Sequence, residues 1–335
     1  MSGFWHDKKV IVPGGAGFLG SSVVDALVTT GARVTVIDDE SHGDFTRLAD
    51  HGDTIERIRA DLTASIDLTG IFHGSHAVLD FAGVAPGLME DESRHEILYQ
   101  KNLRLAGAIL QAALRAEVPH LLVVSSSCVY PDDAPVPTPE MLLMGNLPEH
   151  ANRGYGRAKR EIEARAVAAM GGPVRITLAR PFNACGPRDI HGGPGSHVIP
   201  SLLTKILDPR VPEVVVWGSG SQTRAFIDAR DLASAVLLLI EHHHGPQAVN
   251  IGTAEEITLA ELASHLMRAC GVDKPLVFDT SRPEGAAKKS CDASLLRDLT
   301  GFTPRFGLEA SLRDIVQARL ETGFRDDLAS GGLFK

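Results

Sequence analysis

Tyr155 and Lys159 have the residue types and the spacing of a proton-transfer pair. In a helix, residues at positions i and i+4 lie on the same face. A lysine ammonium favours the phenolate of a neighbouring tyrosine, so we expect the pKa of Tyr155 to be lowered toward neutrality. Such a tyrosine can take a proton from an alcohol, or return it, while a nicotinamide exchanges hydride with the same carbon. The pair therefore predicts alcohol–ketone chemistry.

A second cluster of reactive side chains directly follows a predicted buried strand. The segment Ser125–Tyr130 reads Ser-Ser-Ser-Cys-Val-Tyr and carries hydroxyl and thiol groups. In open α/β sheets, ligands bind outside the carboxyl ends of the strands. We therefore expect this segment to lie in an active site.

The glycine-rich segment near the N-terminus predicts a dinucleotide site. Gly14, Gly17 and Gly20 are spaced as Gly-x-x-Gly-x-x-Gly between a predicted strand and a predicted helix. Glycines here permit a tight turn, let the backbone approach a pyrophosphate and let the helix pack closely on the strand. The helix N-terminus then offers amide donors to the phosphates. Phe18 and Leu19, which begin this helix, are expected to contact the cofactor as well.

The end of the second predicted strand indicates which dinucleotide binds. Asp38 is followed by Asp39 and Glu40, and no arginine lies immediately beside it in the sequence. A carboxylate at this position accepts hydrogen bonds from ribose hydroxyls and repels a 2′-phosphate, which favours NAD over NADP. Asp61 and Leu62, after the third predicted strand, are expected near the adenine, with a helix cap as the alternative for Asp61.

Apolar runs that alternate with helical patterns predict an α/β protein. Buried strands are predicted at 9–12, 33–37, 54–59, 77–81, 121–125 and 174–178, with helices at 18–30, 92–116 and 155–170. This order predicts a doubly wound, parallel Rossmann sheet covered by helices on both faces. Shorter elements follow residue 180. We expect an NAD-binding Rossmann domain at 1–180 and a smaller α/β substrate lobe at 181–335, partly interleaved with it.

Composition and charge limit the kinds of partner. The 335 residues carry a net charge of −9, which disfavours nucleic acids and anionic membranes. The longest apolar stretch, near 235–240, is too short to span a bilayer. The scattered cysteines predict reduced thiols in a cytoplasmic protein, and the run His242–His244 does not converge on a metal ion. Glu161 and Glu163 are typical of an exposed, charged helix face.

Together, these motifs resemble the extended short-chain dehydrogenase/reductase family, which comprises sugar-nucleotide epimerases, dehydratases and reductases. The resemblance extends from residue 10 to about residue 321. It implies a catalytic set of Ser126, Tyr155 and Lys159, the last two of which also contact NAD. It also implies a supporting asparagine at Asn102.

The same resemblance makes statements about the rest of the chain. The segment 180–187, which includes Asn183, resembles the part of the family that lies between the nicotinamide and the substrate diphosphate. Family members pair through helices of the sheet domain, which implies a homodimer. Two residues depart from the family pattern. Pro13 stands where the family usually has threonine, and Pro131 stands where many members have glycine.

Three segments narrow the resemblance to GDP-mannose 3,5-epimerases and GDP-fucose synthases, namely 126–131, 196–200 and 215–224. In those enzymes a cysteine and a basic residue exchange protons at carbons 3 and 5 of the hexose. These positions fall on Cys128 and His197. A ketone at carbon 4 acidifies both neighbouring carbons, and a thiolate and an imidazole on opposite faces can then remove and return a proton.

The motifs leave a choice of reaction. Asp38 favours a retained NAD that is reduced and reoxidised within one turnover, and the segments 222–224 and 283–285 resemble the 3,5-epimerases. His197 instead resembles the GDP-fucose synthases, which reduce a 4-keto-6-deoxyhexose with NADPH. We therefore expect an NAD-dependent nucleotide-sugar epimerase acting at carbon 3 or 5 of a GDP-mannose-like substrate. The alternatives are a GDP-4-keto-6-deoxyhexose epimerase/reductase and an NDP-hexose 4-epimerase. A 4,6-dehydratase is disfavoured because its usual acidic pair is absent after Ser126.

A nucleoside diphosphate needs local cations in an acidic protein. The resemblance places Arg224 at the phosphate or ribose, and Arg282 and Lys288 are candidates for the diphosphate because their charges suit phosphate oxygens. The complete set of predicted substrate-binding residues is Ser127, Asn183, Val198, Arg224, Arg282 and Lys288.

Overall fold

The computed structural model describes residues 3–64, 66–84, 92–141, 147–189, 196–282 and 285–321. The strands are β1 (Lys9–Pro13), β2 (Arg33–Asp38), β3 (Ile55–Arg59), β4 (Ala77–Asp80), β5 (His120–Val124), β6 (Arg175–Pro181), β7 (Ala184–Cys185), β8 (Val214–Trp217), β9 (Thr223–Ala225), β10 (Ile227–Asp228), β11 (Val249–Ile251), β12 (Glu256–Thr258), β13 (Leu276–Asp279) and β14 (Lys288–Lys289). The helices are α1 (Phe18–Thr29), α2 (Leu68–Phe72), α3 (Glu92–Arg115), α4 (Arg153–Ala168), α5 (Val198–Leu207), α6 (Ala229–His242), α7 (Leu259–Cys270), α8 (Ser294–Thr300) and α9 (Leu308–Glu321). Within these ranges, no helix combines the length and apolar character that a membrane span requires.

Seven strands form one sheet in the order β11-β6-β5-β4-β1-β2-β3. Every neighbouring pair in this sheet is parallel. Strands β1, β2 and β4 are buried along almost their whole length, as their continuous apolar sequences require in a sheet covered on both faces. The prediction of a doubly wound Rossmann sheet is confirmed.

Helices cover the two faces of this sheet with separate apolar cores. Helices α1, α6 and α8 pack on one face, where Leu27 and Leu239 are fully buried. Helices α2, α3 and α4 pack on the other face, with Ile109 and Ile162 among the buried side chains. Each large aliphatic side chain buried in this way contributes roughly 1.5–3 kcal/mol. The cores fix the sheet, and with it the positions of the loops at the strand ends.

The chain after residue 180 contributes both to this sheet and to a smaller lobe. Strand β11 pairs with β6 in the main sheet, and helix α6 packs on one face of that sheet. Helices α5, α7 and α9 instead surround a separate core with the parallel pair β8 and β13. A three-stranded sheet of β12, β9 and β14 joins this lobe. The predicted division at 180 and 181 stays a prediction.

The carboxyl ends of β1, β4, β5 and β6 lie side by side because these strands are neighbours in the sheet. Each of these strands is followed by a segment that contains predicted site residues or lies next to such a segment. The glycine turn follows β1, Phe81–Val84 follow β4, Ser125–Tyr130 follow β5, and Phe182 and Asn183 follow β6. Topology therefore assembles residues that are far apart in sequence at one edge.

Glu163 is not on an exposed helix face, and that expectation is wrong. Its side chain is 9% exposed and forms a bidentate ion pair with Arg180 of β6, at 2.9 and 2.7 Å. Arg180 also donates to the hydroxyl of Tyr130, which in turn donates to Asn250 at 2.6 Å. The reason is that α4 packs on the sheet with this face inward. The network ties α4, β6 and β11 together beneath the active-site edge.

Two histidines are in contact at the opposite, amino ends of β4 and β5. The rings of His76 and His120 are 4.9 Å apart, and Phe4 packs edge-on against both. Burial, and the positive charges of His76, Arg175 and His244, lower the pKa of His120 to about 4. Burial and Lys8 also lower the pKa of His76. The His120 imidazole is thus neutral in the folded protein at mildly acidic pH.

This pair predicts a loss of stability in acid. The unfolded chain takes up protons on these imidazoles near pH 6.5, whereas folded His120 does so only near pH 4. The stabilisation is therefore complete above pH 6.5 and declines as the pH falls toward 4, by about 1.4 kcal/mol per unit of pKa difference. Urea unfolding between pH 7 and pH 4.5 measures the slope. His120→Phe, which keeps the aromatic packing, should flatten it, and an equal slope in the variant would contradict the assignment.

Candidate active site

The glycine turn after β1 has the tight backbone that the sequence predicts. Gly14 adopts a φ of +73°, and a Cβ there would lie 2.5 Å from the backbone nitrogen of Ala82. A Cβ on Gly20 would collide with the carbonyl oxygen of Gly14. Any side chain at either position would thus separate the turn from β4 or from the first turn of α1.

The N-terminus of α1 faces this turn without a side-chain cap. Gly17 is the N-cap residue, and the first turn carries no acidic residue. Its amides are therefore not satisfied by a capping side chain, and the positive end of the helix dipole is not neutralised locally. Such a helix end is a ready site for a phosphate group.

Asp38 lies at the carboxyl end of β2 and is almost fully buried. Its carboxylate accepts hydrogen bonds from the backbone amides of Ala16, at 3.1 Å, and Glu40, at 2.9 Å. Burial raises its pKa, while these two amides lower it. Asp38 and the predicted adenine contacts Asp61 and Leu62 line a cavity of about 340 Å³ next to the glycine turn.

A second cavity, of about 650 Å³, adjoins the first and contains most of the predicted site. The two cavities share Gly14, Gly17 and the segment Phe81–Val84 in their linings. The predicted site residues that line the second cavity are Gly14, Gly17, Phe18, Leu19, Gly20, Ser126, Ser127, Cys128, Tyr155, Lys159, Asn183, His197, Val198 and Arg224. The sequence therefore identified a group of side chains that the fold brings to one place.

Ser126, Tyr155 and Lys159 meet at the carboxyl end of β5. The Ser126 hydroxyl accepts the amide of Cys128 at 3.2 Å and hydrogen-bonds Tyr155. The Lys159 ammonium donates to the carbonyl of Val124 at 2.7 Å and lies 5.5 Å from the centre of the Tyr155 ring. Helix α4 presents Tyr155 and Lys159 on one face, as their spacing predicts.

Asn102 supports the site from α3 by holding the loop after β4. Its side-chain oxygen accepts the amide of Val84 at 3.0 Å, and its side-chain nitrogen donates to the carbonyls of Val84 and Leu98. The side chain is 2% exposed. Asn102 therefore fixes one wall shared by both cavities, which agrees with a supporting role.

His197 is held by an acidic partner. Its Nδ1 lies 2.9 Å from one carboxylate oxygen of Asp189 and 3.1 Å from the other. Burial lowers the pKa of His197, but the hydrogen bond and the charge of Asp189 outweigh burial and raise it. The other ring nitrogen, Nε2, is not bonded to Asp189. Both residues line the larger cavity.

The three predicted cations are not placed alike. Arg224 lines the larger cavity and donates to the carbonyls of Thr223 and Ala286. Arg282 lies over the ring of Trp217, at 5.4 Å, and is not among the residues that line this cavity. Lys288 is exposed, whereas the next residue in β14, Lys289, lines the cavity. Side chains alternate along a strand, so only one of two adjacent lysines can face inward.

Comparison with known proteins accounts for this arrangement. The model of the NAD dependent epimerase/dehydratase family matches residues 10–252. The chain belongs to that family.

Two relatives and one solved structure specify the match. A probable GDP-L-fucose synthase 1 from Oryza sativa subsp. japonica is 32% identical over 92% of both chains. A dTDP-4-dehydro-6-deoxy-D-allose reductase from a Streptomyces species is 29% identical over 92% of this chain and 96% of its own. A UDP-glucose 4-epimerase from Stenotrophomonas maltophila, solved with NAD, has a TM-score of 0.82 and 25% identity, over 94% of this chain and 98% of that one. The chain is thus a member of the sugar-nucleotide epimerases and reductases.

NAD is the cofactor of this family, and the residues present fit it. Gly14 and Gly20 admit no side chain, and the turn they form lies beside the uncapped N-terminus of α1, which suits a pyrophosphate. Asp38 lines the smaller cavity, where its carboxylate could accept hydrogen bonds from ribose hydroxyls, and Tyr155 and Lys159 line the adjoining larger cavity. When bound, NAD would exchange hydride with a substrate carbon, and Tyr155 is the predicted group for the accompanying proton.

Asp38→Asn tests the ribose contact. A hydrogen bond to a charged group contributes roughly 1.5–3 kcal/mol, so we expect NAD to bind about 10- to 100-fold more weakly. The NAD-to-NADP affinity ratio should also fall, because the carboxylate no longer repels a 2′-phosphate. Calorimetric titration with each dinucleotide measures both effects, and the exposed Asp53→Asn serves as the control. An unchanged ratio would exclude Asp38 as the selecting residue.

The expectation of a lowered pKa for Tyr155 is wrong. Burial raises the pKa of the Tyr155 phenol, and the neighbouring Cys128 and Asp80 raise it further, against the hydrogen bond from Ser126. Burial likewise lowers the pKa of Lys159, against the attraction of Asp80 and its other acidic neighbours. A spacing rule describes the contact between two side chains but not the cost of removing both from water.

Sequence reasoning missed polar residues that line this cavity, among them Asp80, Asp189 and Lys289, and missed Glu149, which pairs with Lys289. Asp189 precedes His197 by eight residues, a spacing that indicates no known motif. Asp80, buried at the end of β4, has its pKa raised to about 6 by burial, and its position after a buried strand was a usable signal. Glu149 and Lys289 form an ion pair at 2.6 Å next to Cys128. Their partners are distant in sequence, so no local pattern indicated them.

Proposed function

We propose that this protein acts on a nucleoside diphosphate 4-keto-6-deoxyhexose, inverts one or both carbons beside the ketone and then reduces the ketone. The observation that carries the proposal is a single cavity lined by Cys128, the Asp189-bound His197 and the set of Ser126, Tyr155 and Lys159. Two kinds of relative support it, a GDP-L-fucose synthase and a reductase named for a 4-dehydro-6-deoxy sugar. They favour GDP or dTDP as the carrier.

Proton transfer beside the ketone is assigned to Cys128 and His197. A Cys128 thiolate removes a proton from the carbon and becomes a thiol, while the resulting enolate spreads its charge onto the ketone oxygen. A His197 imidazolium returns a proton to the opposite face of that carbon and becomes neutral. Asp189 suits His197 to this role because it favours the protonated ring. No net proton is gained by the sugar.

The hydride that reduces carbon 4 would come from a bound reduced nicotinamide, and the accompanying proton is assigned to Tyr155. Its hydroxyl delivers a proton to oxygen 4, with Ser126 bonded to it and Lys159 nearby to stabilise the phenolate that remains. The substrate carrier is expected to lie along Asn183, Val198 and Arg224, which line the same cavity.

A retained-NAD epimerase on a GDP-mannose-like sugar is the second candidate. One observation favours it, namely the buried Asp38 in the cavity beside the glycine turn. A carboxylate at this position suits NAD. A reductase that exchanges its dinucleotide in each turnover commonly binds NADPH through contacts to the 2′-phosphate.

One experiment separates the two candidates. The protein is incubated in heavy water with GDP- and dTDP-4-keto-6-deoxyhexoses and with GDP-mannose, each with and without NADH or NADPH, and followed by NMR. The proposal expects deuterium at carbons 3 or 5 of a 4-keto sugar, and a 4-hydroxy product only when reductant is added. Exchange into GDP-mannose without reductant would establish the second candidate instead.

We also propose a cytoplasmic homodimer. The four cysteines carry free thiols, as expected in a reducing compartment. Ile97 of α3 and Val167 of α4 are exposed apolar side chains on two of the helices that cover one face of the sheet, which suits pairing through these helices. Sedimentation at micromolar concentration tests the assembly.

A further inference from the structure

Cys128 is packed against an ion pair that the reaction assigned above does not use. The Lys289 ammonium lies 2.6 Å from a carboxylate oxygen of Glu149 and 4.0 Å from the Cys128 sulfur. The side chains of Lys289 and Glu149 are only 16% and 14% exposed. A desolvated charge this close to a thiol acts on it far more strongly than a charge in water.

The fold holds all three side chains firmly. Strand β14, which carries Lys289, pairs with β9, and Glu256 bonds Ser290 and Thr223 across the same small sheet. The amide of Glu149 donates to the carbonyl of Tyr130 at 2.8 Å. The ion pair is thus anchored on both sides.

Helix α4 closes the Cys128 side of this arrangement. Gly156 packs so closely on the carbonyl of Cys128 that a side chain there would collide with it. The turn that carries Cys128 is capped by Ser126. The sulfur, the ammonium and the carboxylate are therefore held in a fixed relation to one another.

We infer that Lys289, oriented by Glu149, is a positioning residue that stabilises the thiolate of Cys128. The inference rests on the proposed function in one respect only, since it takes the thiolate to be the base that removes the proton beside the ketone. Lys289 stays an ammonium throughout. The proton moves from carbon to sulfur, and the negative charge moves from sulfur to the enolate.

The charges around Cys128 oppose one another, which makes the inference testable. Burial raises the pKa of the Cys128 thiol, Lys289 lowers it, and Glu149 raises it. The other titratable groups that interact with this thiol are on α4, namely Tyr155 and Lys159. Arg224 on β9 acts on both members of the ion pair. Removing the positive and the negative member should therefore move the thiol pKa in opposite directions.

The test measures alkylation of Cys128 by iodoacetamide without substrate between pH 6 and pH 10, with labelled peptides identified by mass spectrometry. All variants carry Cys270→Ser, because Cys270 is partly exposed whereas Cys185 and Cys291 are buried. Lys289→Gln should slow alkylation about tenfold at pH 8, which corresponds to a rise of one pKa unit, and Glu149→Gln should accelerate it. Lys289→Arg should stay close to the parent protein, and Lys288→Gln, which changes the neighbouring exposed lysine, is the matched control for charge.

The outcomes distinguish this inference from the proposed function. Opposite shifts in the two variants establish the electrostatic role, even if no 4-keto sugar is turned over, in which case the proposed reaction alone fails. Shifts of the same sign would mean that the pair only holds the local structure and would overturn the inference. An unchanged pH profile of alkylation in Lys289→Gln would also overturn it, whether or not the parent protein turns over a 4-keto sugar.

Discussion

Replacing Tyr155 with phenylalanine is expected to lower kcat about 10²–10⁴-fold, the usual contribution of a positioned general acid. The variant keeps the ring, whose centre lies 5.5 Å from the Lys159 ammonium, but loses the hydroxyl that hydrogen-bonds Ser126. NAD binding should change little, because the glycine turn and Asp38 are untouched. Single-turnover reduction of a 4-keto sugar, together with calorimetric titration of NAD, measures both quantities.

Tyr130→Phe is the matched control for this prediction. The Tyr130 hydroxyl bonds Arg180 and Asn250 in a buried network and is not assigned a part in the reaction. Its loss leaves buried polar atoms unpaired, so the free energy of unfolding should fall by about 1–3 kcal/mol while kcat is retained. If Tyr130→Phe lost turnover and Tyr155→Phe did not, the assignment of the proton donor would be wrong.

Cys128→Ser and His197→Asn should each suppress proton exchange beside the ketone about 10²–10⁴-fold. Serine is far less acidic than cysteine, and asparagine cannot carry the proton that Asp189 stabilises on the imidazole. Reduction of a substrate that needs no inversion should persist in both variants, because Tyr155 and Lys159 are intact. Deuterium incorporation and reductant consumption, followed in one NMR and absorbance series, separate the two activities.

The controls for this pair use residues outside the cavity. Cys270→Ser changes a thiol on α7, and His242→Asn changes the exposed end of α6. Both should leave exchange unchanged. Exchange that survives in Cys128→Ser and in His197→Asn alike would show that other groups move the protons and would leave the cavity without its assigned base and acid.

Much of the fold follows from local sequence patterns. The continuous apolar strands and the Gly14–Gly20 spacing suffice for a parallel sheet with a dinucleotide turn after β1, because strand period and backbone sterics are local properties. The spacing of Tyr155 and Lys159 likewise suffices to put them on one face of α4. These features depend only on residues that are close to one another in the sequence.

Electrostatic environments depend on burial and are not visible in such patterns. The local sequence predicts Glu163 to be an exposed carboxylate, but the structure buries it in an ion pair with Arg180. Tertiary packing determines which face of α4 meets the sheet. Tyr155 has a raised pKa for the same reason, since its neighbours exclude water. A charged residue in a sequence has no fixed pKa until the surrounding atoms are in place.

The sequence and its family resemblance determined the Rossmann architecture and the glycine turn, and they singled out Ser126, Cys128, Tyr155, Lys159 and His197, which line one cavity. Only the tertiary structure decided which charges act on them. Asp189 reaches His197, and Glu149 and Lys289 reach Cys128, through contacts between elements that are distant along the chain. The choice of Lys289 over Lys288 depends on the register of β14 against β9, which is set by tertiary pairing and not by the lysines themselves.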